Sequence, residues 1–211
     1  IRIEEMEIIL HDDRHNARLV KGHVKDVLTG SPEALTDVHL ALHKICQNLD
    51  FTYEFGRGTC WLGDEGLDYR YTNKSHIAQG WRDELIVKLT SSMRQLSNEL
   101  GFTDSQEPLY NHLLINQYLP KQKLNMHRDN EPILTGPLAS FTLGASSRFT
   151  FGLTKSINEG TKIELGEGDI LIGNREFFDN YYHSVAAPKV TEEQPVRYNF
   201  TWRTLKDTNN A

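Results

Sequence analysis

The chain has 211 residues, 38% of them hydrophobic and 25% charged, and carries a net charge of −6. That length fits one domain with a sizeable core, and no apolar run approaches the roughly 18 residues of a membrane span. The N-terminal stretch is charged and lacks an apolar core, so no secretion signal is read, and Cys46 and Cys60 are too few for a disulfide framework.

These features imply a reducing, intracellular setting, cytoplasm or nucleus, for a monomer without a membrane partner. The acidic total does not exclude nucleic acid, because binding depends on a local patch. Glu4, Glu5, Glu7, Asp12 and Asp13 load the N-terminus with acid. Arg57, Arg70, Lys74, Lys121, Lys123, Arg128, Arg148 and Lys155 are candidates for a basic rim further along. A start at Ile1 is expected of a processed product, a trimmed chain or a domain cut from something longer.

In chain order, Ser31-Pro32 reads as an N-cap followed by proline in a first helical turn. Leu35, Val38, Leu42, Ile45 and Leu49 recur at spacings of three and four, which predicts an amphipathic helix near 32–48. A second helix is predicted near 81–100, with Leu85, Leu89, Met93, Leu96 and Leu100 on one stripe and Gly101 as its stop. From about residue 112 the pattern changes. Leu113–Tyr118, Leu138–Leu143, Arg148–Gly152, Thr161–Leu165, Asp169–Gly173 and Val196–Arg203 read as short strands broken by Gly, Pro, Asn and Ser. Helices first and many strands later give an α+β class, with the helices backing a sheet. Antiparallel strands enclosing a ligand suggest a jelly-roll or cupin-like core.

Three residues in the strand-rich half carry chemistry. His127-Arg128-Asp129 sets an imidazole and a carboxylate two positions apart, so on a strand both project from one face. His183 follows far enough along for the chain to cross a sheet and return. Two imidazoles and one carboxylate are the ligand set of the facial triad that holds non-haem Fe(II) with coordination sites left open. His11 and His15, like His39 and His43, are four apart and would share a helix face. No third ligand is legible near either pair, and both are read as solvated surface.

The segment Arg197–Arg203 alternates strictly. Arg197, Asn199, Thr201 and Arg203 fall on one face of a strand, and Tyr198, Phe200 and Trp202 on the other. One reading leaves the polar face in water, as antiparallel sheets commonly do. The other turns it into a cavity, where two guanidinium groups grip a dicarboxylate.

Together these motifs resemble the AlkB family of Fe(II)/2-oxoglutarate dioxygenases. The resemblance rests on Asn116-Gln117-Tyr118, His127-Arg128-Asp129-Asn130-Glu131, Ser140-Phe141-Thr142-Leu143-Gly144, His183 and Arg197–Arg203. It covers a catalytic core near 105–206, and Trp61–Asp64 with Tyr69–Tyr71 extend it toward the N-terminus. It implies a single dioxygenase domain over 1–211 with a double-stranded β-helix core. Residues 1–104 would then form an N-terminal extension and substrate lid.

The resemblance also implies roles. His127, Asp129 and His183 would hold Fe(II). Asn116, Tyr118, Arg197, Asn199 and Arg203 would bind the co-substrate 2-oxoglutarate, with Arg203 on its distal carboxylate. O₂ would complete the reaction set, and the substrate would be DNA or RNA carrying bases such as 1-methyladenine or 3-methylcytosine. Glu131 matches an acidic position of the DNA-repair members and would accept a hydrogen bond from the exocyclic amine, unless it is a solvent-exposed loop residue. Asn130 departs from the Asp common there, which leaves the substrate subgroup open. Trp61, Tyr69 and Tyr71 are candidates to stack on a flipped base or to pack in the core, and Arg148 to touch phosphate or form a rim ion pair. A viral-type member acting on RNA falls within this reading. Alternatives are the same chemistry on a protein side chain or small molecule, and a non-catalytic 2-oxoglutarate-binding interaction domain.

Overall fold

The computed structural model describes residues 5–27, 32–54, 56–71, 73–103 and 109–206. Strands β1 (Glu7–Asp12) and β2 (Ala17–His23) precede a helical turn, α1 (Val24–Val27), and the helix α2 (Pro32–Gln47). Four strands follow: β3 (Thr52–Glu54), β4 (Arg57–Gly63), β5 (Asp68–Tyr71) and β6 (Lys74–Ile77). After helix α3 (Glu84–Glu99) come β7 (His112–Tyr118), β8 (Leu124–His127), β9 (Leu134–Gly144), β10 (Ser147–Gly152), β11 (Thr161–Leu165) and β12 (Asp169–Gly173). The short helix α4 (Arg175–Asn180), β13 (Tyr182–Val185) and β14 (Arg197–Leu205) complete the order.

Eight strands form the major sheet in the order β1-β2-β12-β9-β14-β7-β4-β3, and four form the minor sheet, β11-β10-β13-β8. Strands β5 and β6 make a separate hairpin. The named pairings are antiparallel, and a cavity lined from both larger sheets lies between them. This is the jelly-roll arrangement that the strand pattern predicts. Strands β1 to β4, from the N-terminal half, widen the major sheet on both sides.

The alternation in β14 decides how the layers stack. Its apolar residues Tyr198, Phe200 and Trp202 join Leu42 and Cys46 of α2 and Leu89, Met93 and Leu96 of α3 in one buried cluster. The two helices therefore back the outer face of the major sheet. Trp202 is fully buried and its indole N–H donates to Thr90 Oγ1 at 2.9 Å, so its one polar atom is satisfied. Truncating such a side chain to alanine costs about 3–5 kcal/mol.

Helix α3 starts at Glu84 rather than near residue 81, because Asp83 caps it by accepting from the Leu85 N–H at 2.7 Å. Gly101, with φ +72°, follows its end. The expected cap of α2, Ser31, lies outside the described residues. His11 and His15 do not share a helix face. They sit on β1 and in the following turn, where His11 meets Asp13 at 2.9 Å and His15 meets Asp12 at 2.7 Å.

Candidate active site

The antiparallel pairing of β13 with β8 sets His183 directly opposite His127, at the inner edge of the minor sheet. Asp129 lies two residues past the end of β8 rather than on the strand, which stops at His127. There the backbone is held by Arg175, whose guanidinium donates to the Asp129 carbonyl oxygen. The three side chains still converge. His127 Nε2 is 3.6 Å from Asp129 Oδ1, and His183 Nε2 is 3.4 Å from Oδ2. One ligand atom from each lies within 4.8 Å of the others, and no other such group occurs among the described residues.

The surroundings orient these ligands. His127 Nδ1 meets the Asn125 carbonyl oxygen at 2.7 Å. As donor there, it leaves the Nε2 lone pair facing the cluster. Burial, helped by His183 and opposed by Asp129, pushes the His127 pKa down to about 4, so the ring is a neutral ligand. Burial alone would raise the Asp129 carboxyl, but Arg203, His183 and His127 together hold it well below the ordinary carboxylate range. A charged, buried carboxylate between two imidazoles is a donor set that fits a divalent iron. Phe149 stacks on His183 with ring centroids 5.5 Å apart and limits its rotation.

The polar face of β14 forms the cavity floor, not a solvated surface. Arg197, Asn199, Thr201 and Arg203 all line it, joined from β7 by Asn116 and Tyr118. Arg197 is fully buried and, among the described residues, pairs with no carboxylate. Its Nη2 donates to Thr142 Oγ1 at 3.2 Å, and its Nε and Nη1 have no partner. The Tyr118 ring lies 5.4 Å from the guanidinium carbon. Burial lowers the Arg197 pKa to about 10.

Arg203 differs. Its Nη2 lies 3.7 Å from Asp129 Oδ1, and attraction to Asp129, Tyr69 and Glu131 outweighs burial and raises its pKa. Its Nε and Nη1 are also unpartnered. Asn199 is held by Ser140 at 2.7 Å and by Thr201 at 2.6 Å, while Asn116 Oδ1 has no partner. Buried guanidinium donors without acceptors are costly. A small dicarboxylate is a ligand that would satisfy both arginines, so the residues present fit 2-oxoglutarate.

Another wall comes from β4, beside β7 in the major sheet, and the β5–β6 hairpin. Trp61 and Tyr69 line the cavity with ring centroids 5.4 Å apart. Behind Trp61, His76 stacks on it at 4.2 Å and nearly parallel, a support that no sequence pattern announced. The Tyr69 hydroxyl donates to Glu131 Oε1 at 2.9 Å, and Glu131 Oε2 is buried without a partner. Glu131 is therefore no solvent-exposed loop residue. The side chain of Tyr71 lies outside the described residues.

Arg148 does not line the cavity. It is half exposed on β10, 3.9 Å from Glu164. Arg70 and Lys74 likewise face acids, Asp68 at 3.1 Å and Glu54 at 2.8 Å. Of the expected basic rim, Arg57 and Arg128 reach the cavity, the latter over the Tyr182 ring at 4.7 Å. Arg175 and Phe149 support the triad and were not singled out by sequence, since an arginine after a strand and an aromatic within one carry no pattern of their own.

The family model of the 2OG-Fe(II) oxygenase superfamily matches residues 26–203. The chain belongs to that superfamily. Its members use Fe(II), 2-oxoglutarate and O₂. Among its relatives, the alpha-ketoglutarate-dependent dioxygenase AlkB of Salmonella typhimurium is 33% identical over 125 residues, which are 56% of this chain and 55% of that protein. The AlkB of Escherichia coli is 35% identical over 95 residues, 43% of each. The chain thus matches about half the length of these AlkB relatives. An RNA replication protein of Grapevine virus A is 25% identical over 175 residues, 81% of this chain and 9% of that protein. The solved structure of OsALKBH1 matches with a TM-score of 0.60 at 22% identity, covering 80% of this chain and 93% of that one, a likeness of fold. No described helix is long and apolar enough to cross a membrane.

Proposed function

We propose that this chain oxidatively demethylates N-alkylated bases, of the 1-methyladenine and 3-methylcytosine type, in DNA or RNA. The observation that carries the reading is the carboxylate of Glu131. One oxygen is fixed by Tyr69, and the other is buried, unpartnered and beside an aromatic wall. That is an acceptor waiting for a donor, and the exocyclic amine of such a base supplies one. The negative charge also favours the positive charge these lesions carry. The AlkB relatives and the viral RNA replication protein support a nucleic-acid substrate, and the viral relative is the reason to test RNA beside DNA.

His127, Asp129 and His183 would hold Fe(II). Bound there with O₂ and 2-oxoglutarate, the metal supplies oxidation of the N-methyl group, with succinate, CO₂ and formaldehyde as products. Arg197, deep in the cavity and without an acid among the described residues, would take the distal carboxylate of 2-oxoglutarate, helped by Tyr118. Arg203 adjoins the metal ligand Asp129 and is placed for the metal-side carboxylate. This exchanges the roles that the resemblance assigns, since Arg203 already shares a carboxylate and Arg197 has none. Asn116 and Asn199 complete the cage. Trp61, braced by His76, and Tyr69 would flank the flipped base, and Arg57 and Arg128 at the mouth would meet phosphate.

The test is an anaerobically Fe(II)-loaded protein offered methylated DNA and RNA oligonucleotides, read by mass spectrometry. Loss of a methyl mass with succinate formation supports the reading. Healthy succinate formation with no oligonucleotide altered would move the substrate to a protein side chain or small molecule.

A further inference from the structure

On the far side of the major sheet, helix α2 presents His39 and His43 to the turn between β11 and β12. Four residues apart, the two rings share one helix face. The third group is Glu167, brought there by the turn. His43 Nε2 lies 2.7 Å from Glu167 Oε1, and His39 Nδ1 lies 3.7 Å from Oε2. This cluster is not the solvated surface that the sequence suggests. His39 is 14% exposed, and its Nε2 is buried with no partner.

We propose that His39, His43 and Glu167 form a second divalent-metal site, of zinc type, that fastens helix α2 to the β11–β12 turn. Two imidazoles and a carboxylate, with water in a fourth position, are a zinc donor set. Supporting contacts position the carboxylate. Glu167 Oε1 also accepts the Gly144 N–H at 3.1 Å. The Glu167 carbonyl oxygen meets His23 Nε2 at 3.1 Å, and His23 Nδ1 accepts the Lys25 N–H at 3.1 Å. His23 is thus engaged at both nitrogens and acts as a positioning residue for the turn.

The protonation states also suit a metal. Burial lowers the His39 pKa, against the pull of Glu167, and favours the neutral imidazole that binds metal. The hydrogen bond from His43 keeps the Glu167 carboxyl below its usual range, and so charged. On binding, the ion takes the place of the proton on His43 Nε2, and the neutral ring then carries that proton on Nδ1. The triad alone among the described residues already has its ligand atoms within 4.8 Å of one another. His39 Nδ1 stands 3.7 Å from Glu167, so the second site would have to draw together to hold its ion.

Metal-free protein titrated with Zn(II) against a chromophoric chelator tests this. Wild type should take up two equivalents, and the His39→Ala/His43→Ala variant one. His127→Ala/His183→Ala should also keep one, and its melting temperature should rise with Zn(II). Glu167→Gln preserves shape and the bond from Gly144, so it keeps the test open if the double alanine variant fails to fold. It should weaken one equivalent by about tenfold or more. Loss of all Zn(II) uptake in His127→Ala/His183→Ala, or two equivalents of unchanged affinity in Glu167→Gln, would overturn the proposal and leave a plain histidine–glutamate tether. The outcome does not depend on the reading of the active site.

Discussion

The two ends of the cavity are built on different principles. The end proposed for the co-substrate rests on long strands in the middle of the major sheet, where β14 is bonded to β7 and β9 along nearly its whole length. Its side chains hold their places by register: Arg197 stands opposite Tyr118, and Asn199 opposite Asn116. The base-facing wall rests on β4 and a two-stranded hairpin, and its side chains hold one another through the Trp61–His76 stack and the Tyr69–Glu131 bond. On the proposed function, chemistry common to many substrates sits in the middle of the major sheet, and recognition of one substrate where β4, paired to β7, meets a hairpin outside that sheet. The two functions should therefore separate under mutation.

The largest effect belongs to the metal ligands, which serve both ends. His183→Ala should reduce succinate formation and demethylation together to background, while the melting temperature moves by only a few degrees. Retained turnover in a chelator-treated sample of the variant would remove the triad from the account.

Next comes Arg197, where function and stability should oppose each other. A cation whose folded pKa is lowered, here to about 10, costs the native state stability at any pH below that value, so the cost is fully present at neutral pH. Arg197→Met keeps much of the volume and removes the buried charge. The free protein should be as stable as wild type or more so. Affinity for 2-oxoglutarate should fall by about 2–4 kcal/mol, roughly thirtyfold or more. Thermal shift with and without 2-oxoglutarate reads both halves. A variant that melts lower yet still responds to 2-oxoglutarate would make Arg197 a structural residue.

Glu131→Ala acts on the other end alone. Losing a charge-assisted hydrogen bond costs about 1.5–3 kcal/mol, roughly tenfold or more in rate. Repair of 1-methyladenine and 3-methylcytosine should fall by that factor. 1-Methylguanine and 3-methylthymine, which present a carbonyl oxygen on that edge, should be less affected, and uncoupled succinate formation should persist. Equal loss on all four bases would assign Glu131 to holding Tyr69 in place. The smallest effect is expected at Arg148, outside the cavity and 3.9 Å from Glu164. Arg148→Ala should leave demethylation within about twofold, as exposed ion pairs contribute little, and a larger drop would place substrate on the outer face of the minor sheet.

Much of this was legible in the sequence, for definable reasons. Helices α2 and α3 announced themselves because one face of each is buried, which imposes the spacing of three and four. Strand β14 did so because its two faces meet opposite environments, a packed aromatic core and a polar cavity. The strands that escaped notice lack such contrast. In β4, the stretch from Gly58 to Gly63 is buried on both faces, so nothing alternates. Strands β8 and β13 are four residues each, and their histidines face one another across the pairing rather than within a run. The sequence reading set Arg203 on the distal carboxylate, because identical side chains six positions apart differ only in what the fold sets beside them. One received Asp129 and the other no acid. For the same reason the His39–His43 pair read as surface: Glu167 is 124 positions from His43.

The central claim is that the cavity's deep end is a 2-oxoglutarate pocket anchored on Arg197. Its most direct test is a crystal structure of the protein with Mn(II) and 2-oxoglutarate under anaerobic conditions. The account expects the metal on His127, Asp129 and His183, the distal carboxylate in bidentate contact with Arg197 beside Tyr118, and Arg203 toward the metal-side carboxylate. A distal carboxylate on Arg203, with Arg197 still unpaired, would contradict it.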